Sequence, residues 1–335
     1  MLQYYEKIVR YAIANVKNRK DATIDFVKVE IIRNFGGIYA YIDMEFIKCH
    51  GSGNDFILID ATRYPDFSRE EWSDFARKAC SRESGIGSDG VLLVVRYEDG
   101  VYGMDMLNPD GTYAEMCGNG IRCVARLAYE RSYIASEDVL RSGGRDYKVQ
   151  RIEPIDGEET FGVDIPINTW SKDFTFYSAG ERFVAQKIEA LDEKLEFTAL
   201  NLGNPHIVAE VESISLEHLT ALGERVLQLR ELFPYGVNVS FYERRSSREI
   251  FVSTYERGAG LTLSCGTAMT ASATAVAMRG RVDAGERVEV RNRGGRVFCT
   301  TKLEDSITTR LEGNATFEWY GEAVFESGVL TFERK

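Results

Sequence analysis

The chain has 335 residues, which is more than one hydrophobic core usually supports, so we expect two domains. Its net charge of −11 argues against a general affinity for nucleic-acid phosphates, and its longest apolar runs are only strand-sized, which argues against membrane spans. The six cysteines form no CxxC pair, and no apolar signal segment precedes them, so we predict a protein of the reducing cytoplasm.

The N-terminal segment has a pattern of its own, because apolar residues recur at helical spacing over Leu2–Arg19 among lysines and arginines. We interpret it as a docked or frayed surface helix, with an amphipathic helix on a membrane surface as the alternative. Met44 directly precedes the first strand of the motif-bearing region. Residues 1–43 are therefore predicted to be an N-terminal extension, and its role stays open.

Two short strands are predicted on either side of a glycine-rich loop. They cover Phe46–Cys49 and Phe56–Asp60, and a helix follows over Arg69–Cys80. The run Gly85–Gly90 has the letters GxGxxG, but it precedes the strand predicted at Val91–Val95 instead of following one. A Rossmann dinucleotide site is therefore a poor interpretation.

The elements that follow occur in a similar order twice. In the first half they are a strand at Tyr102–Leu107, a turn at Asn108–Gly111 and a helix that starts at Cys117 and continues over Ile121–Tyr129. In the second half, strands are predicted at Phe197–Leu202, Gly236–Tyr242 and Ile250–Tyr255, with helices within Ser215–Arg230 and at Ala268–Arg279. Further strands are predicted at Phe161–Ile165, Glu286–Arg291 and Ala323–Phe332. This order predicts two mixed β domains, each wrapped around one central helix.

The most distinctive residues are Cys117 and Cys265, which stand 148 residues apart. Each opens a small-residue helical pattern, as Cys-Gly-Asn-Gly and Cys-Gly-Thr-Ala, and each follows a Gly-Asn turn at nearly the same distance. A cysteine at a helix start lies near unpaired amides and the positive end of the helix dipole, which both stabilise a thiolate. We therefore interpret the chain as an internal duplication with two functional thiols.

Two thiols on opposite faces of one α-carbon can invert an amino acid, since one removes the α-proton while the other supplies a proton. Amides of Gly118, Asn119, Gly266 and Thr267 can hold the substrate carboxylate and the charge that develops on it. This chemistry requires no cofactor, and no cluster of histidines and cysteines predicts a metal site. The remaining cysteines are predicted to lie in the core: Cys49, Cys80, Cys123 and Cys299.

Other polar residues are candidates for holding a zwitterionic substrate. Arg257 can bind a carboxylate and Glu256 an ammonium group; a surface ion pair is the alternative, but their position shortly before Cys265 favours binding. His206 either orients a thiol or satisfies a loop carbonyl. Four asparagines stand at strand-to-turn junctions, where each alone would be a turn residue but together they can line a polar pocket: Asn54, Asn108, Asn204 and Asn238.

From about Met44 onwards the sequence closely resembles the diaminopimelate epimerases, a family of cofactor-independent amino-acid epimerases that use two cysteines. Six ordered motifs carry the resemblance: His50–Phe56, Gly85–Gly90, Glu115–Gly120, Gly203–His206, Val237–Val239, and Glu256–Gly260 followed by Ser264–Thr267. The resemblance implies an α+β fold of two pseudo-symmetric β-barrel-like or β-roll domains, each around a central helix, with the active site in the cleft between them. The expected domains are residues 44–165, joined by the last strands at about 315–335, and residues 166–314.

The resemblance also implies a reaction and roles for single residues. The reaction would interconvert LL- and meso-2,6-diaminoheptanedioate, in lysine and peptidoglycan-precursor synthesis, with Cys117 and Cys265 as alternating base and acid. The substrate's amino and carboxylate groups would be held by Asn54, Asn108, Asn204, Asn238, Glu256 and Arg257, and the reacting carboxylate by the amides of Gly118, Asn119, Gly266 and Thr267. Ala268 stands where the family commonly has glycine; because alanine keeps the helical backbone and the amide, we expect the anion site to survive.

Three other functions remain open from the sequence. A racemase or epimerase of the same fold could act on another amino acid, although Arg257 and the asparagines favour a substrate with a second zwitterionic end. A cysteine hydrolase would use Cys265 with His206 as its base and would give Cys117 no role. A redox switch would join Cys117 and Cys265 in a disulfide. The expected partners are a small-molecule substrate and, as the commonest assembly, a second copy in an isologous homodimer; neither nucleic acid nor a membrane is expected.

Overall fold

The computed structural model describes residues 31–34, 37–40, 42–326 and 329–335 of the chain. Residues 44–335 form one compact unit. Before it, β1 (Ile31–Asn34) and β2 (Gly37–Ala40) form a two-stranded antiparallel sheet. The helix predicted over Leu2–Arg19 lies outside the described residues, so it stays a prediction.

The first half of the main fold is a set of strands around one helix. Its elements are β3 (Ile42–Gly51), β4 (Asn54–Asp60), a short 3-10 helix (Ala61–Arg63), α1 (Arg69–Ala79), β5 (Val91–Arg96), β6 (Tyr102–Leu107), β7 (Tyr113–Ala114), α2 (Gly118–Glu130), β8 (Glu137–Ser142), β9 (Arg145–Ile155) and β10 (Glu158–Ile167). Strands β4 and β5 pair in parallel with α1 in their connection, and β6 and β8 pair in parallel with α2 in theirs. The other neighbours, such as β3 with β4 and β8 with β9, pair antiparallel.

The second half repeats this arrangement. Its elements are β11 (Gln186–Ile188), β12 (Asp192–Asn201), β13 (Pro205–Glu210), α3 (Leu216–Val226), β14 (Asn238–Arg244), β15 (Glu249–Glu256), β16 (Gly260–Leu261), α4 (Gly266–Met278), β17 (Arg287–Asn292), β18 (Gly295–Leu303) and β19 (Ile307–Asn314). Parallel pairing again occurs twice, between β13 and β14 across α3 and between β15 and β17 across α4. The predicted duplication is therefore confirmed at the level of strand pairing.

Strand pairing also joins the two halves. Strand β10 runs antiparallel to β19, with Thr160 opposite Asn314 at one end and Ile167 opposite Ile307 at the other. The chain ends in the antiparallel pair β20 (Thr316–Glu326) and β21 (Val329–Arg334), and β20 also pairs with β3 in the first half. The segment Ala323–Phe332 was predicted as one strand, but it covers parts of both β20 and β21. The alternation of apolar residues continues through the turn, so it does not show where the chain reverses direction.

Both central helices are buried, and α4 shows how its sequence permits this. Its residues from Gly266 to Ala277 are buried and mostly small, so strands can approach the helix on every side. Three hydroxyl groups in it, those of Thr270, Ser272 and Thr274, each donate to the carbonyl four residues earlier at 2.8 Å. These bonds satisfy the buried polar atoms within the helix itself.

The outer helices α1 and α3 start where local signals predict. Ser68 caps α1 in a capping box with Glu71, and Ser215 caps α3 by accepting from the His218 amide. The strands and helices predicted between residues 46 and 314 are present, with ends that differ by a few residues. No helix in the described part of the chain is long and apolar enough to cross a membrane.

Candidate active site

The two cysteines cap the central helices in matching conformations. Cys117 precedes α2 with φ −136° and ψ 113°, and Cys265 precedes α4 with φ −134° and ψ 109°. This extended backbone places each sulfur beside the first turn of its helix, where the amides have no carbonyl partner in the helix. The two thiols therefore hold equivalent positions in the duplicated halves.

The two helix starts lie against each other. A Cβ atom on Gly266 would stand 3.0 Å from Oδ1 and 3.4 Å from the backbone nitrogen of Asn119. A Cβ atom on Gly118 would stand 3.9 Å from the carbonyl carbon of Gly266. Glycine is needed for such a close approach. The structure thus brings together residues from both helix starts that were predicted to hold a carboxylate.

Cys117 faces the amide of Asn54 across the loop between β3 and β4. Its sulfur is 3.9 Å from Asn54 Oδ1 and accepts a 3.4 Å hydrogen bond from the Gly120 amide. Asn119 Nδ2 also donates to Asn54 Oδ1, at 3.5 Å. Asp89 fixes the orientation of this amide, because its Oδ2 accepts from Asn54 Nδ2 at 2.6 Å. Asn54 therefore presents its oxygen to the thiol.

Cys265 lies in a different polar setting, next to a chain of hydrogen bonds from the second half. Its sulfur is 3.4 Å from Thr267 Oγ1, which is 3.2 Å from Nε2 of His206. The same nitrogen is 3.0 Å from Asn204 Oδ1 and 3.4 Å from Asn238 Nδ2. His206 is fully buried, and burial lowers its pKa to about 3, so the ring is neutral. His206 thus reaches the thiol through Thr267.

Glu256 is a further neighbour of Cys265. Its Oε1 accepts from Thr262 Oγ1 at 2.5 Å, and its carboxyl group acts electrostatically on the Cys265 thiol. Burial raises the pKa of Glu256. The adjacent Arg257 is fixed by its backbone, which donates to Asn238 Oδ1 at 2.8 Å, and by Nη1, which donates to the Tyr235 carbonyl at 2.9 Å.

Burial is the largest influence on the pKa of both thiols. It raises the pKa of Cys117, while the amides of Gly120 and Asn119 oppose the rise. It raises the pKa of Cys265 well above the ordinary value, and the charge of Glu256 adds to the rise. The Ala268 amide acts on Cys265 in the opposite direction, so the alanine keeps a donor at the sulfur. The helix amides therefore act as the sequence predicts, but desolvation outweighs them.

Substituting Glu256 with glutamine should lower the pKa of Cys265. A negative charge beside a thiol disfavours the thiolate, so its removal should move the pH midpoint of Cys265 alkylation down by about one unit. Iodoacetamide labelling at a series of pH values, resolved by peptide mass spectrometry, measures this midpoint separately for Cys265 and Cys117. Glu249→Gln on the same strand is the matched control. An unchanged Cys265 midpoint would show that Glu256 carries no charge that the thiol senses.

A cavity of about 830 Å³ is lined by residues of both halves of the fold. Its wall contains Met116, next to Cys117, and Asn204, which bonds to Thr267. The rest of the wall consists of Ala114, Glu115, Arg145, Asn168, Trp170, Ser171, Lys172, Asp173, Asn201, Leu202, Gly203, Pro205, Tyr235 and Arg257. Neither cysteine is part of this lining. Asn108 lies apart from these contacts, with its Nδ2 bonded to Thr112 Oγ1 at 2.9 Å within its own turn.

Several residues at this site were not predicted from the sequence. Asp89 orients Asn54, Thr262 binds Glu256, and the positive side chains of Arg145 and Lys172 line the cavity. Asp89 belongs to the run Gly85–Gly90, which was noticed as a motif without a role. Its position directly before a buried strand was the signal that could have identified it.

Solved structures with low sequence identity share this fold. A PhzF-family phenazine biosynthesis protein from Bacillus anthracis has a TM-score of 0.60 at 16% identity, over 84% of this chain and 98% of that chain. A hydroxyproline epimerase from Agrobacterium vitis has a TM-score of 0.59 at 15% identity, over 85% of this chain and 92% of that chain. At such identities the similarity establishes the fold alone.

The duplicated fold, with one cysteine before each central helix, is the arrangement that the sequence predicts for an amino-acid epimerase. Within that class, the chain belongs to the diaminopimelate epimerase family, whose family model matches residues 46–152 and 198–318. A diaminopimelate epimerase from Clostridium acetobutylicum is 36% identical over 258 residues, 76% of this chain and 78% of the relative. One from Carboxydothermus hydrogenoformans is 36% identical over 271 residues, 79% of this chain and 94% of the relative. The family resemblance noted in the sequence is confirmed.

Proposed function

We propose that this chain interconverts LL- and meso-2,6-diaminoheptanedioate without a cofactor, by proton transfer that uses Cys117 and Cys265. The observation that carries the proposal is the pair of cysteines capping two helices whose first residues are in contact. The substrate follows from the relatives at 36% identity that are named diaminopimelate epimerase. Lysine and peptidoglycan-precursor synthesis would use the product.

The proposed reaction has two proton transfers on opposite faces of the α-carbon. A thiolate on one face removes the α-proton and becomes a thiol, and the electron pair spreads onto the carboxylate. The thiol on the other face gives its proton to the α-carbon and becomes the thiolate. The configuration is inverted, and the number of protons on the enzyme is unchanged. Amides of the two helix starts stabilise the carboxylate while its charge develops.

The substrate-binding roles are assigned as follows. Amides of Gly118, Asn119, Gly266 and Thr267 would hold the reacting carboxylate, because they come from the two helix starts. The amino group and the second zwitterionic end would be held by Asn54, Asn108, Asn204, Asn238, Glu256 and Arg257. Arg257 lines the cavity and is bonded to Asn238, which supports a common role for this pair. His206 supports the site through Thr267.

The other functions that the sequence left open have less support. As a hydrolase base, His206 would be weak, because its pKa is about 3 and its hydrogen bonds go to Thr267, Asn204 and Asn238. A disulfide switch would leave Glu256 and Arg257 without a role. An epimerase of another amino acid remains the second candidate, since the site chemistry at the α-carbon would be identical.

Proton NMR of the reduced wild-type protein with LL-2,6-diaminoheptanedioate in D₂O tests the proposal. We expect the α-proton signal to decline as solvent deuterium enters, with the meso isomer appearing alongside. If the LL isomer stays unchanged while another amino acid exchanges its α-proton, the substrate assignment is wrong. Hydrolysis of an ester or amide probe without any exchange would transfer support to the cysteine hydrolase.

Three broader assignments belong to the same proposal. We place the protein in the cytoplasm, because its composition suits a reducing compartment. We expect a homodimer, the commonest assembly of such enzymes. We divide the chain into an extension of residues 1–43, a first domain of residues 44–165 with residues 315–335, and a second domain of residues 166–314. The pairing of β20 with β3 supports assigning the last strands to the first domain.

A further inference from the structure

Arg122, in the second turn of α2, is a fully buried cation that pairs with no carboxylate in the described part of the chain. Its guanidinium donates only to neutral oxygens: the Gly118 carbonyl at 2.9 Å, Ser52 Oγ at 3.0 Å, Asn119 Oδ1 at 3.2 Å and the Asn314 carbonyl at 3.3 Å. These bonds give each of its three nitrogens an acceptor but leave its positive charge uncompensated. Buried charges are normally paired, so this one requires an explanation.

The surrounding strands leave a space for this guanidinium. A Cβ atom on Gly313 of β19 would stand 2.9 Å from Arg122 Nη2, and one on Gly51 of β3 would stand 3.0 Å from it. Neither glycine has a positive φ, so the backbone conformation does not require glycine at these positions. Glycine is needed there because a side chain would collide with the guanidinium group. The site is therefore built by strands from both halves of the fold around one charged group.

The duplication provides an internal comparison for Arg122. Five residues after Cys265, the equivalent position in α4 is Thr270, whose Oγ1 donates to the Gly266 carbonyl at 2.8 Å. Arg122 makes the corresponding bond to the Gly118 carbonyl. In the second half, a neutral hydroxyl is thus enough to satisfy the carbonyl of the first helical residue. This hydrogen bond therefore does not explain why position 122 carries a charge.

The ionisable groups that act on the Arg122 charge are thiols. They are Cys123 on α2, Cys117 at the N-cap of α2 and Cys299 on β18. Cys123 and Cys299 are buried within a helix and a strand, and burial raises the pKa of Cys299 to about 12. Cys117 is partly exposed, and its sulfur accepts a hydrogen bond from the Gly120 amide. Of these three thiols, Cys117 is therefore the one that is not fully covered by the protein.

We propose that Arg122 is a positioning residue whose fixed charge favours the thiolate on Cys117 over one on Cys265. This inference rests on the proposed two-thiol reaction. Cys265 has the opposite neighbour, the Glu256 carboxyl group, and a neutral residue at the position equivalent to Arg122. Cys117 is therefore the more acidic of the two thiols and loses its proton before Cys265 as the pH rises. Through Asn119 Oδ1, Arg122 also orients the amide that contacts Asn54.

Alkylation of the full-length reduced protein by iodoacetamide, without substrate, tests this role. In Arg122→Gln the pH midpoint for labelling Cys117 should rise by about one unit, which is about a tenfold slower reaction at neutral pH. The midpoint for Cys265 should stay the same. Arg122→Lys keeps the charge and should stay close to wild type. The acidic limb of the pH profile of kcat/KM should move with the Cys117 midpoint.

Arg126→Gln is the matched control, because it removes a cation one turn further along α2 and should leave the Cys117 midpoint unchanged. An unchanged midpoint in folded Arg122→Gln would overturn the proposal. The proposal would also be overturned if Arg122→Lys folds but its pH midpoint for Cys117 labelling rises by a full unit. That result would mean that the hydrogen bonds of Arg122, and not its charge, set the midpoint. If Arg122→Gln fails to fold, Arg122→Lys decides alone. Because no substrate is present, these outcomes are independent of whether diaminopimelate is the substrate.

Discussion

Replacing either Cys117 or Cys265 with alanine should reduce kcat/KM for epimerisation by about 10³-fold or more, since general acid–base groups typically contribute 10²- to 10⁴-fold each. Inversion needs both a base and an acid on opposite faces, so neither thiol can replace the other. The measurement is proton NMR in D₂O with the LL and the meso isomer in separate samples. Any exchange that remains should affect one isomer in Cys117→Ala and the other isomer in Cys265→Ala.

Cys80→Ala is the control for this pair. Cys80 is buried at the end of α1, where it accepts a 3.3 Å bond from Ser88, and it does not contact the two helix starts. Its variant should keep the activity of the wild type. Full turnover in one of the two helix-capping variants would contradict the two-thiol reaction and would assign both proton transfers to the remaining cysteine or to another group.

Local signals explain why so much of the fold could be predicted from the sequence. The capping box of Ser68 with Glu71 and the turn at Asn108–Gly111 each involve residues within a few positions of one another. The duplication was visible because both cysteines stand before small residues that suit a buried helix. These signals do not show where a strand ends and the chain turns back. For that reason Ala323–Phe332 was predicted as one strand when it is part of two.

The contacts that orient the site connect residues far apart in the chain. Asp89 reaches Asn54 across 35 positions, and the Ser52 amide reaches Asn314 across 262. No periodicity relates such positions, so the sequence shows Asp89 only as a member of the run Gly85–Gly90 and Arg122 only as a residue of a predicted helix. The net acidity of the thiols was also beyond sequence reasoning, because burial opposes the helix amides and its extent depends on the whole fold.

Replacing Arg257 with lysine should raise KM for diaminopimelate by about 10- to 150-fold, the equivalent of about 1.5–3 kcal/mol for hydrogen bonds to a charged group. Lysine keeps the charge but loses the planar fork that binds a carboxylate through two bonds. The backbone position should be retained, since the Arg257 amide is held by Asn238 Oδ1 at 2.8 Å. Arg257 lines the cavity, so we expect it to act on substrate binding and to change kcat less than KM.

Steady-state kinetics of Arg257→Lys and Arg248→Lys, measured side by side, separates a loss of substrate binding from any effect that an arginine-to-lysine exchange has in general. Arg248 is an exposed arginine that pairs with Glu286, so its lysine variant should match the wild type. If Arg257 binds the second carboxylate of the substrate, Arg257→Lys should discriminate less than the wild type between diaminopimelate and lysine, which lacks that carboxylate. A fall in kcat with an unchanged KM would instead place Arg257 at the reacting carbon and would require a different orientation of the substrate in the cavity.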